Sequence, residues 1–188
     1  MTEPLRQALD AIFDRQEPYP ALAMNPEYDV LLANRAGARM LSQYSDRPVE
    51  EINAIEMLFT ATHPVLDDWE VTARELWRRL HRESLRSPKN TKLLGLLELM
   101  STSPLVESHW LEAALHLNSE PVATITFRLP NDDRLAFLST ITTFNAPQNV
   151  ALEELRVECF YPLDSSSAEA CERHLGGSAP RHLGALRS

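Results

Sequence analysis

Apolar residues at Leu5, Leu9, Ile12 and Phe13 keep the i, i+4, i+7, i+8 spacing of one helix face, with Thr2 placed as an N-cap. The spacing predicts an amphipathic helix over 3–16. Pro18 and Pro20 stop it, because proline and the residue before it resist helix. Two short apolar runs follow, Ala21-Leu22-Ala23-Met24 and Tyr28-Asp29-Val30-Leu31-Leu32-Ala33, separated by the turn residues Asn25-Pro26-Glu27. They read as a β-hairpin, the first two strands of a sheet.

After Asn34 the apolar period lengthens. Ala36, Met40 and Leu41 suit one short helix, and Ile55, Leu58 and Phe59 another. The strongest helical pattern spans 66–86, where Leu66, Trp69, Ala73, Leu76, Trp77 and Leu80 share a face. Arg78, Arg79, Arg82 and Arg86 fall mostly opposite, and Asp67, Asp68 and Glu70 at the start complement the helix dipole. Leu93, Leu94, Leu96, Leu97 and Met100 predict a further helix, and 105–117 a short one.

The last third changes to period 2. Val122–Arg128, Leu135–Phe144 and Arg156–Tyr161 are rich in β-branched and aromatic residues and predict three strands. Two strands, a helical middle and three strands define an α+β fold around a five-stranded, mostly antiparallel sheet. Gly176 and Gly177 open a stretch without periodicity, so 176–188 is expected to be a disordered tail.

Composition narrows the function classes. A chain of 188 residues is one domain's length, with no need of a disulfide or metal staple. Eighteen Lys+Arg against 27 Asp+Glu give 18 − 27 = −9, which argues against binding DNA or an anionic membrane. No apolar run is long enough to span a bilayer, and the N-terminus lacks the order of a secretory signal. Cys159 and Cys171 are too few for a disulfide framework, so a cytoplasmic location is the simplest expectation.

Catalytic signatures are scarce. Five glycines leave no phosphate-cradling loop, and neither HExxH nor GxSxG occurs. The acid pairs Glu50-Glu51, Asp67-Asp68, Asp132-Asp133 and Glu153-Glu154 are sequence neighbours whose side chains diverge, which suits caps and turns better than acid–base work. Cys171 and His174 make half a metal site at most, so no metal or cofactor is expected. The arginines between Arg74 and Arg86 are interrupted by Glu75 and Glu83 and read as a solvated face. Phe59, Trp69 and Trp77 read as core, although a helix laid over a curved sheet leaves room for an apolar cavity.

Two stretches carry a resemblance. Pro18-Tyr19-Pro20-Ala21-Leu22, with Tyr28 through Asn34 and then Arg35-Ala36-Gly37-Ala38, resembles the opening of the ligand-binding domain of MmyB-like transcription regulators, which is PAS-like. Phe137 through Phe144, Val150 through Leu155 and Glu158-Cys159-Phe160-Tyr161-Pro162 resemble its closing strands, and Asp68-Trp69 with Leu76 through Leu80 its central helix. The resemblance covers about 17–175. It implies a PAS-like five-stranded antiparallel sheet with helices on one face, residues 18–175, preceded by a connector helix over 1–17. It also implies a sensor rather than an enzyme, since some relatives hold a fatty-acid-like molecule in the cavity.

In such regulators a helix-turn-helix of the XRE/Cro type precedes the connector. This chain is expected to reach DNA only through a missing or separate one. Asn34 falls on the asparagine at the strand-to-helix turn, where it bonds backbone at the cavity's edge. The expected ligand-binding set is Asn34, Phe59, Trp69, Ala73, Trp77, Phe127, Phe137 and Ile141, around a small apolar ligand. An alternative makes the chain a homodimerising interaction module with a filled core, its seam formed by Leu5, Leu9, Ile12 and Phe13. A third, an enzyme using His81, lacks a recognisable nucleophile, base and orienter.

Overall fold

The computed structural model describes residues 3–61, 64–106, 124–144 and 155–176. The first helix is α1 (Glu3–Gln16), followed by the hairpin β1 (Ala21–Met24) and β2 (Val30–Ala33). Next come α2 (Arg35–Ser42), a 3-10 turn (Val49–Glu51), α3 (Ala54–Thr60), α4 (Trp69–Arg86) and α5 (Thr91–Thr102). The strands β3 (Thr124–Arg128), β4 (Arg134–Thr143) and β5 (Arg156–Pro162) then lead to α6 (Ser165–His174). The strands form one sheet in the order β2-β1-β5-β4-β3, every neighbouring pair antiparallel. The α+β, PAS-like architecture expected from the sequence is therefore present, with β5 at its centre.

Period-2 alternation along β5 decides which residues meet which layer. Val157 and Cys159 point to one face of the sheet, where they join Ala21, Ala23, Leu32 and Leu155. Leu5, Leu9 and Phe13 of α1 cover this face. Leu9 is 1% exposed, and burying such a side chain contributes about 1.5–3 kcal/mol. The apolar stripe of α1 is thus buried against the protein's own sheet. It is not a free seam for a second copy, as the interaction-module alternative required.

On the other face, Leu22, Met24, Phe127, Phe137 and Phe160 meet residues of α2, α3, α4 and α5 in the main core. Phe127, Phe137 and Phe160 pack edge-to-face on one another, centroids 5.6–6.2 Å apart. Such pairs add to the burial of the rings.

Two elements differ from the sequence expectation. Leu66 does not open α4 but forms a bridge to Phe127. Its neighbours bond the same strand, Asp67 N–H to the Thr126 carbonyl at 3.0 Å and Arg128 N–H to the Val65 carbonyl at 2.9 Å. The chain therefore runs along the outer edge of β3, where unpaired backbone groups need partners, before the helix starts at Trp69. Helix α6 was not predicted, because Ser165-Ser166-Ser167 has weak helix propensity. Asp164 starts it by accepting from the Ser167 N–H at 2.7 Å, and Ser167 Oγ accepts from Ala136 of β4. The helix expected over 105–117 lies almost wholly outside the described residues, as does the expected tail apart from Gly176.

Candidate ligand-binding cavity

Asn34 sits where β2 gives way to α2, buried and 4% exposed. Its Oδ1 accepts from the N–H groups of Gly37 at 2.7 Å and Ala21 at 2.9 Å, and its Nδ2 donates to the Tyr19 carbonyl at 2.8 Å. One side chain therefore caps α2 and ties the start of β1 to the end of β2. Gly37 allows this approach: a Cβ there would lie 2.7 Å from the Ala21 carbonyl oxygen.

Between the sheet and the helices lies a cavity of about 320 Å³. That is at the small end of the range for small-molecule sites. Met40 and Leu41 of α2, with Ile55 and Leu58 of α3, line it from the helical side. Leu22 and Met24 of β1, Ile125 and Phe127 of β3, and Phe160 of β5 line it from the sheet. Helix α4 contributes Thr72, Glu75, Leu76 and Arg79.

The wall is not wholly apolar. Tyr28, Arg79, Ser139, Arg156 and Glu158 also reach it. Tyr28 is held in the left-handed region, φ 63°, by the turn in which Asn25 Oδ1 accepts from Asp29 N–H at 2.9 Å. That conformation costs a residue with a Cβ about 1–2 kcal/mol. The buried phenol has its pKa pushed up by burial, against the pull of the Arg79 charge. Arg79 donates to it at 3.4 Å. The Arg156 guanidinium lies over the same ring, 5.6 Å from the centroid, and bonds Glu83 at 2.7 Å. Burial raises the Glu158 carboxyl above the usual range, with the Ser139 hydroxyl bond and the Arg79 charge opposing.

Of the residues anticipated as ligand contacts, Phe127 and Ile141 line this cavity. Phe59, Trp69, Ala73, Trp77 and Phe137 lie in the adjoining core and do not form its wall. Trp69 packs on Phe59 with centroids 5.3 Å apart and donates to the Leu58 carbonyl. Asn34 is the cap just described and also lies outside the wall. The buried stripe of α4 and its cavity-facing row are therefore different rows of one helix. His81 stacks on Trp77, centroids 5.0 Å apart, and is not part of the cavity.

The polar lining was not anticipated. Arg79 read as part of a solvated face, yet it faces the cavity. Arg156 and Glu158 alternate with the buried Val157 and Cys159, and the strand reading of Arg156–Tyr161 gave neither a role. The available signal was Phe160, an aromatic residue on the same face as both charges.

The α+β domain thus leaves a lined cavity of small-molecule size between sheet and helices, and among the described residues no cluster of His, Cys, Asp or Glu could hold a metal ion. Comparison with protein families makes this specific. The chain belongs to the MmyB-like transcription regulator ligand binding domain family, whose pattern matches residues 5–173. None of the curated proteins compared with the chain matches it. The family is a regulator domain and not an enzyme class. Among the described residues, no helix is long and apolar enough to cross a membrane.

Proposed function

We propose that this domain senses a small amphipathic, fatty-acid-like molecule held in the cavity between sheet and helices, and reports its presence to a bacterial transcription regulator. The single observation that carries the proposal is the cavity of about 320 Å³, mostly apolar, with charged groups gathered on part of its wall. Phe127 and Ile141 are the contacts we assign among the residues singled out from sequence, joined by Leu76, Ile125 and Phe160. Strand β5 gives a route for the signal. Glu158 and Phe160 face the cavity, while Val157 and Cys159 on the same strand face α1. A ligand shifts α1 only as far as it binds two arrangements of β5 with different affinity. DNA contact falls in this reading to a helix-turn-helix rather than to this acidic domain, and the setting is the cytoplasm.

The test is a thermal-shift titration with decanoate of the native protein and of Leu76→Trp, which fills the cavity from α4. The native protein should melt at higher temperature as ligand rises, by mass action, and Leu76→Trp should respond far less. Overpacking costs typically about 1–3 kcal/mol, so the unliganded variant is compared with its own baseline. No shift in the native protein, or an equal shift in both, would overturn the proposal.

A further inference from the structure

The arrangement of charge on the cavity wall says more about the head group, on the footing that this cavity holds the ligand. Two of the nearby ion pairs are already closed: Arg156 with Glu83 at 2.7 Å, and Arg78 with Glu75. Arg79 differs from them. Among the described residues it has no carboxylate within salt-bridge distance, and its hydrogen bond to Tyr28 is long, 3.4 Å. Arg156 Nη1 is also buried without a hydrogen-bond acceptor among the described residues. Both arginines belong to the cavity lining, but Arg156 is held by Glu83 and its Nη1 is enclosed, so among the described residues Arg79 is the cation left for a ligand.

Glu158 lies on the same wall. The Ser139 hydroxyl of β4 bonds its Oε1. The neighbouring cavity groups are Arg79 and Glu75 from α4, Tyr28 from the hairpin and Arg156 from β5 itself. Helices α2 and α3 present only Met40, Leu41, Ala54, Ile55, Met57 and Leu58 to the cavity. An ionised Glu158 would lose hydration by its burial and would compete with the ligand for Arg79.

We propose that the cavity takes its ligand as a carboxylate on Arg79 while Glu158 keeps its proton, so that Glu158 sets both the preference for an acid head group and the pH dependence of binding. A protonated Glu158 presents an O–H that can donate to the ligand carboxylate; an ionised one repels it. Loss of that proton therefore competes with binding. The reverse chemistry, an amine head group on ionised Glu158, would leave Arg79 facing a second cation.

The test compares decanoate, decanol and decylamine by calorimetry between pH 6 and 9, where free decanoate is ionised throughout. Decanoate affinity should fall up to about tenfold per pH unit once pH exceeds the Glu158 pKa. Decanol binding should stay level with pH. Glu158→Gln keeps the shape and a partner for Ser139, and should bind decanoate with little pH dependence. Arg79→Met should weaken decanoate by about tenfold or more and leave decanol within a few-fold, which also shows the variant to be folded. Decanol binding with pH-independent decanoate binding in the native protein would overturn this inference and leave the cavity reading standing. Decylamine binding that strengthens with pH, and is lost in Glu158→Gln, would replace the carboxylate with a cation. Failure of all three to bind would overturn the cavity reading and this inference with it.

Discussion

Removing the Asn34 side chain tests whether that residue holds the fold or the ligand. Asn34→Ala deletes an acceptor shared by Gly37 and Ala21 and a donor to Tyr19, all within 2.7–2.9 Å. Loss of the cap on α2 costs about 1 kcal/mol. The Ala21 N–H, on a residue 0% exposed, is left without that acceptor, at about 1–3 kcal/mol. The total is about 3 kcal/mol, a large share of the stability of a domain this size. Urea denaturation should show a lower midpoint at unchanged m-value. Asn34→Ser restores a short acceptor that reaches Gly37 but neither Ala21 nor Tyr19, so it should recover only the cap, about 1 kcal/mol. Below the melting transition, Asn34→Ala should bind decanoate within about twofold of the native protein, because the residue is not in the cavity wall. A loss under about 1 kcal/mol, or a large fall in affinity with stability intact, would refute the assignment of Asn34 as a structural tie.

Three other perturbations bear on the fold. Leu9→Asp places a carboxylate at a position 1% exposed between α1 and the sheet, and should lower stability by several kcal/mol rather than convert a dimer to a monomer. Equilibrium denaturation with sedimentation at several concentrations separates the two outcomes. Gly37→Ala should destabilise despite alanine's better helix propensity, because its Cβ would meet the Ala21 carbonyl oxygen at 2.7 Å; a neutral or higher melting temperature would contradict this. Glu158 has a raised folded pKa, so the folded state holds its proton more tightly than the unfolded chain. Stability is then fullest below the unfolded pKa and falls as pH rises toward the folded value, and Glu158→Gln should abolish that fall in a pH series of melting curves.

How much of this was legible in the sequence depended on the range of the interactions. Periodicity is local, so α1, the hairpin, α4 and the three later strands could be read from Leu5-Leu9-Phe13, from Ala21–Met24 and from the β-branched runs. The buried face of α1 was legible for the same reason, but its partner was not. A stripe of apolar residues says that it is covered and not whether a sheet or a second copy covers it. At Leu66 the helical spacing continued across residues that tertiary pairing with β3 holds extended. The cavity was the hardest part. Trp69 and Trp77 drew attention as large aromatics, yet such residues fill space and sit in the core beside the void. The wall instead uses Thr72, Leu76 and Arg79, one row away on the same helix. Arg79 read as solvent-facing from its charged neighbours on the helix, and for Arg156 and Glu158 alternation carries no sign for which face of the strand is inside. Only the strand order, with β5 between β1 and β4, places Glu158 against the helices.

The central claim is that this domain holds a small amphipathic molecule between its sheet and its helices. Native and denaturing mass spectrometry of the protein, as purified and after incubation with decanoate, tests it most directly. The folded protein should carry an extra small-molecule mass, either from the cell or taken up from decanoate, that is lost on denaturation and reduced in Leu76→Trp. A folded protein at its bare mass under both conditions would contradict it.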